Sequence, residues 1–162
     1  EKMQFYVKES RGKYRIASET EIKNSALMSL EEKVKSDGCV FGSPDAASGF
    51  LCLKIGDLPH EVFGVIFMDS QHKMIEYREM FRGTISQTSV YPREIAKEGL
   101  LLNAATVILA HNHPSGNLQP SNADLNLARK LKETLDLVDI RILDHFIVAG
   151  SQYFSMAEKG LM

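Results

Sequence analysis

The chain is poor in cysteine: only Cys39 and Cys52 occur among 162 residues, and they form no C-x-x-C pair. Two lone thiols in apolar surroundings read as small buried hydrophobes, not as ligands or a disulfide. Such sparse use fits a reducing compartment. The N-terminus lacks the apolar core of a signal peptide. The longest glycine-free apolar run, residues 104–110, is far too short to cross a bilayer. A cytoplasmic location is therefore expected. An excess of one charge is missing too. The 19 Lys and Arg and 21 Asp and Glu give a net charge of −2, and they are spread evenly. No segment shows the basic excess of a dedicated nucleic-acid binder, so direct nucleic-acid binding is not expected. Two metal signatures are also absent. There is no H-x-E with a later P-C-x-x-C, which a zinc nucleoside deaminase needs. Nor is there an H-E-x-x-H helix.

What is present is an ordinary globular composition, 44% hydrophobic and 25% charged. No repeat, low-complexity stretch or linker divides it. Phe5 and Val7, then Tyr14 and Ile16, alternate with polar residues around Ser10-Arg11-Gly12, which predicts a small hairpin. Ile22, Ala26, Leu30 and Val34 have helical spacing over 21–35. Ser43-Pro44-Asp45 is a helix start, with Ser43 as N-cap, and 46–55 follows as helix. Strands are expected over 61–68 and 73–81 around an Asp69–His72 turn. A helix should run from Pro92 to about Asn103. Thr106 to His111 reads as an apolar strand covered on both faces. The longest helix should span Ser121 to about Leu137, with Leu127, Leu131 and Leu135 on one stripe. Strands over 140–149 and 152–154 complete the list. Interleaved helices and strands predict an α/β fold, a mixed sheet with helices on both sides.

The chemistry concentrates in His111-Asn112-His113-Pro114-Ser115-Gly116, followed by Ser121 and Asp124. Residues two apart in a strand point the same way, so His111 and His113 can present imidazoles side by side. Asp124, in the first turn of the next helix, can add a carboxylate. Three protein ligands that leave an open position characterise a catalytic zinc. Activated water also needs a base, and sequence physics alone does not select one from the many acids.

The spacing H-x-H-x7-S-x2-D resembles the JAMM (MPN-plus) metalloproteases. That family also carries an upstream glutamate opening a strand, with a glycine shortly after, and Glu61-Val62-Phe63-Gly64 fits. Within the family the chain is most similar to the bacterial RadC proteins. The matching stretches are Phe81-Arg82-Gly83-Thr84, Tyr91-Pro92-Arg93-Glu94, Asn103-Ala104-Ala105, Ala110 to Gly116, and Leu143-Asp144-His145. The resemblance covers roughly Ser43 to Met162. It implies a three-layer MPN-like domain over 43–162, preceded by a hairpin and helix over 1–42. It further implies that His111, His113 and Asp124 bind zinc, that Glu61 is general base and then general acid, and that Ser121 donates to the oxyanion. The implied reaction is hydrolysis of a peptide or isopeptide bond in a protein substrate. The alternative it leaves is a non-catalytic MPN-like module that binds a partner in DNA repair or replication. Longer RadC proteins begin with a helix-hairpin-helix module. No such signature is found here, so a short form is expected.

Plainer readings stand beside these. Ser121-x-x-Asp124 is also a capping box. One carboxylate should not face both the N-cap amide and a metal, so the ligand role is expected to win. His60 and His72 read as structural or solvated. His145 reads as a buried, hydrogen-bonded core histidine more than as a support of the site. Lys8, Arg11, Lys13 and Arg15 read as a solvated hairpin face. Arg82, Arg93 and Glu94 belong to the shared motifs, but nothing in their spacing assigns them a task.

Overall fold

The computed structural model describes residues 3–36, 44–83 and 89–162. The proposed cap Ser43, and Cys39, lie outside these. The elements follow the sequence reading closely. A hairpin of β1 (Tyr6–Lys8) and β2 (Tyr14–Ile16) precedes α1 (Glu19–Ser36) and α2 (Pro44–Ile55). Then come β3 (Glu61–Met68), β4 (Met74–Gly83), α3 (Pro92–Leu101), β5 (Thr106–Asn112), α4 (Asn122–Asp136), β6 (Arg141–Ala149) and β7 (Gln152–Ser155). No helix among the described residues is long and apolar enough to cross a membrane.

Five strands form one sheet in the order β4-β3-β5-β6-β7. Only β5 and β6 pair in parallel; the other neighbours are antiparallel. The apolar β5 is the central strand, and all seven of its residues are buried. Being covered on both faces is what removes alternation from its sequence.

Side-chain alternation sorts the interior into two cores. On one face Phe50, Leu51 and Ile55 of α2 meet Ile66, Ile108 and Phe146. On the other, Ile95 of α3 and Leu131 and Leu135 of α4 meet Val65, Phe67 and Leu109. The sheet is thus sandwiched between α2 and the α3–α4 pair, as expected for an α/β three-layer fold. Burying a side chain of this size contributes about 1.5–3 kcal/mol relative to exposing it.

The N-terminal elements stand outside both cores. Tyr6, Tyr14 and Ile16 are exposed, and the apolar stripe of α1 is at most half-buried over the described residues. Cys52 is a free thiol, half-buried against the α2-side core.

A candidate metal centre at the end of the central strand

Strand parity dictates which side chains meet. Val107 and Leu109 of β5 face α3 and α4, so His111 faces them too. Phe63 lies on that same face, and so does Glu61 two residues earlier. In β6, Phe146 and Val148 face α2, which turns His145 towards α4. The first turn of α4 then brings Asp124 over the group. Three strands and one helix start converge at the C-terminal end of β5, where clefts form in α/β sheets.

Nε2 of His111 and Nε2 of His113 lie 3.0 Å apart. Asp124 sits against both, with Oδ1 3.2 Å from His111 Nε2 and Oδ2 3.8 Å from His113 Nε2. One ligand atom each from Glu61, His111 and His113 also lies within 4.8 Å of the others. Two carboxylates therefore flank one pair of imidazoles. They line a cleft of about 660 Å³ together with Phe63, Pro114 and Leu127.

The two carboxylates are held differently. Asp124 Oδ2 accepts from the Ser121 amide at 2.7 Å and from the Ser121 hydroxyl at 2.6 Å. Ser121 Oγ in turn accepts from the Asp124 amide at 3.1 Å. The capping box is fully formed. The expectation that Asp124 would serve either the cap or the histidines needs correcting. A carboxylate has two oxygens: one closes the cap while the other faces His111. Burial pushes the Asp124 carboxyl up, but the His111 bond and charge and the Ser121 bonds outweigh it, holding it well below the usual carboxylate range. The Glu61 carboxylate, by contrast, has no hydrogen bond or ion pair among the described residues.

The imidazoles are oriented from behind. His113 Nδ1 donates to the Asn117 carbonyl at 2.5 Å. That bond fixes the proton on Nδ1 and leaves Nε2 as a bare lone pair when the ring is neutral. His111 Nδ1 meets His145 Nε2 at 2.8 Å. His145 is fully buried, and burial, followed by the neighbouring His111, holds its pKa well below the ordinary imidazole range. His145 is thus a buried, hydrogen-bonded histidine, but its partner belongs to the site itself.

Asn112, the residue between the two histidines, has a task that no motif in the sequence marks. It is fully buried and points to the opposite face. Its Oδ1 accepts from the Val62 amide at 2.7 Å. Its Nδ2 donates to the carbonyls of His60, at 3.0 Å, and Leu58, at 3.3 Å. The paired register of β3 with β5 ends at Phe63 and His111. Beyond that point the Asn112 side chain replaces the main-chain ladder and ties down both sides of Glu61. A polar residue between two histidines was the only signal available in the sequence.

Gly64 has an equally local reason. A Cβ there would fall 2.5 Å from Tyr77 Oη, so the ring of Tyr77 can lie across β3 only over glycine. A register irregularity between Phe63 and Gly64 accompanies it. Bulges of this kind re-aim side chains beside active sites. Elsewhere, His72 is a turn residue with φ 62°; its Nε2 lies 3.2 Å from Arg141. Arg82 pairs with Glu79, and Arg93 with the adjacent Glu94.

The donor chemistry fits a divalent cation. Two imidazole nitrogens with one carboxylate are a set that zinc takes, and a second carboxylate suits the proton work beside it. The bare Nε2 of His113, facing His111 Nε2 at 3.0 Å between two acids, is the observation that calls for a cation.

Residues 41–161 match the family described as RadC-like JAB domain. A UPF0758 protein of Polaromonas sp. is 53% identical over 137 residues, which is 85% of this chain and 61% of that protein. A UPF0758 protein of Aromatoleum aromaticum is 56% identical over 138 residues, again 85% and 61%. One from Marinobacter nauticus is 48% identical over 141 residues, 85% and 63%. The chain spans less than two thirds of the length of these relatives. Its own length is matched nearly throughout the sheet, the α3–α4 pair and the site, and the chain belongs to the RadC-like JAB domain family.

Proposed function

We propose that the chain is a zinc-dependent peptidase or isopeptidase of the JAMM type. The observation that carries this reading is the convergence of His111 Nε2, His113 Nε2 and an Asp124 oxygen, with the Glu61 carboxylate beside them and unbonded among the described residues. His111, His113 and Asp124 would hold the ion. Zinc would supply Lewis acidity there and make water acidic enough to ionise near neutral pH. Asp124 is assigned as ligand because Ser121 locks its orientation, as outer partners do for metal ligands. Glu61 is assigned as the base because no side chain or amide among the described residues bonds its carboxylate. It takes a proton from the attacking water and returns it to the leaving amine. Ser121 Oγ would turn from Asp124 to donate to the developing oxyanion, a contribution of about 10²–10³ in rate for such donors. A second groove of about 650 Å³ adjoins the cleft across His113, Pro114 and Ser115. Room on both sides favours a polypeptide over a small amide. The non-catalytic alternative, a partner-binding module in DNA repair or replication, is disfavoured by the complete donor set.

Metal content tests this directly. Protein dialysed against trace zinc should retain about one ion per chain, and His113→Ala should retain none. Glu61→Gln should keep the zinc but lose at least about 10² in hydrolysis of any responsive peptide or isopeptide library member. Equal zinc retention by wild type and His113→Ala would remove the metalloenzyme reading.

A further inference from the structure

We propose that His145 is a positioning residue for the metal centre: it accepts the Nδ1 proton of His111 and so keeps His111 Nε2 bare and aimed at the ion. This rests on the zinc reading above and extends it to a residue that touches no ligand-accessible space.

The geometry allows one proton between His111 Nδ1 and His145 Nε2, 2.8 Å apart. If the proton sits on His111 Nδ1, the neutral His111 ring presents a lone pair at Nε2. If it sits on His145 Nε2, the His111 proton moves to Nε2 and blocks the position facing His113 and Asp124. The choice of tautomer at His145 therefore decides whether His111 can ligate. A ligating histidine nearly always donates its other N–H to a fixed acceptor, and a fully buried neutral imidazole serves that purpose here.

Both rings are immobilised. The parallel register pairs Leu109 with His145 and His111 with Ile147, so the two histidines lie diagonally on one face. Phe63 stacks nearly parallel to His111 at 6.2 Å and meets His145 edge-on at 5.5 Å. The His145 backbone is anchored as well. Its amide donates to Asp144 Oδ1 at 2.7 Å, which also accepts from the Ala157 amide, while Asp144 Oδ2 accepts from Ser155 at 2.5 Å. His145 Nδ1 is buried and has no partner among the described residues. A neutral ring that accepts at Nε2 carries its own proton on Nδ1, so this tautomer holds a buried N–H without a described partner, a cost that packing alone does not explain. A core position with no task would favour an apolar side chain of the same size.

Two substitutions separate this role from packing. Glutamine can place its amide oxygen where His145 Nε2 accepts, whereas leucine fills the space without an acceptor. Zinc and cobalt affinities are measured by chelator competition on the full chain. His145→Gln should stay within about threefold of wild type, and His145→Leu should bind roughly 10–100-fold more weakly. Nitrogen-15 imidazole spectra of the zinc-loaded wild type should show His111 protonated at Nδ1. Equal affinity of folded Leu and Gln variants overturns the proposal. If the Leu variant fails to fold, the spectrum decides: an unprotonated His111 Nδ1 overturns it. Wild-type protein that binds no zinc overturns the underlying reading, and this one with it.

Discussion

Asn112 stands between two proposed ligands and ligates nothing, yet it sets where Glu61 can be. Its three bonds reach residues 58, 60 and 62, and they do so where the β3–β5 ladder has already ended. Replacing it with alanine would leave a buried N–H and two carbonyls without partners. Each such group costs about 1–3 kcal/mol when buried, and partial hydration of the opened strand end offsets some of that. Asn112→Ala should therefore lose about 2–3 kcal/mol in urea unfolding of the metal-free chain. A loss below about 0.5 kcal/mol would mean that the strands hold Glu61 in place without it. The H-x-H spacing was legible in the sequence because a strand period of two explains it. The task of the middle residue was not, because it depends on which strand lies beside β5 and where their pairing stops.

At the scale of elements, one local pattern serves two purposes. Ser18-x-x-Glu21 opens α1 with the same reciprocal bonds as Ser121-x-x-Asp124 at α4. The Ser18 amide and hydroxyl both reach Glu21 Oε2 at 2.9 Å, and the Glu21 amide reaches Ser18 Oγ at 3.3 Å. What differs is the partner from elsewhere in the chain. Glu21 receives the Arg15 guanidinium from β2 at 2.6 and 2.9 Å, whereas Asp124 receives histidines from β5. The four-residue pattern alone could not separate a plain cap from a cap that also faces a pair of histidines. The Arg15 bond, then those from Ser18, draw the Glu21 pKa from 4.5 down to about 2. A depressed folded pKa stabilises above the unfolded value and is lost as pH falls through the folded one. The junction between hairpin and α1 should thus loosen between about pH 4.5 and about 2. Amide exchange at residues 15–21 measures it, and added salt should shrink the effect because the pair is exposed. Exchange rates that change only with the global unfolding transition would contradict the assignment.

Across the whole molecule, the legible and the hidden divide by range in sequence. Elements came through because their signals are local. The uninterrupted apolar run of β5 identified a strand covered on both faces, and Pro92 marked the start of α3. Strand order did not come through, and neither did the burial of α1. Ile22, Ala26 and Leu30 form an apolar stripe, yet none of them is fully buried, and both cores close without any described residue before Ala47. The ties from α1 to the rest include the ion pairs Lys23–Asp57 and Lys54–Glu31, both partly exposed. Such pairs contribute about 0–1 kcal/mol each. The region matched to the family begins only at residue 41. A chain starting at residue 37 should accordingly unfold in a single cooperative step, less stable than the full chain by no more than about 2 kcal/mol. Its zinc affinity should be unchanged, since Glu61, His111 and Asp124 sit on elements of the sandwich and His113 directly follows β5. Urea titration and chelator competition on both chains provide the comparison. A shortened chain that aggregates, or that binds zinc tenfold more weakly, would show that the hairpin and α1 complete the domain instead of decorating it.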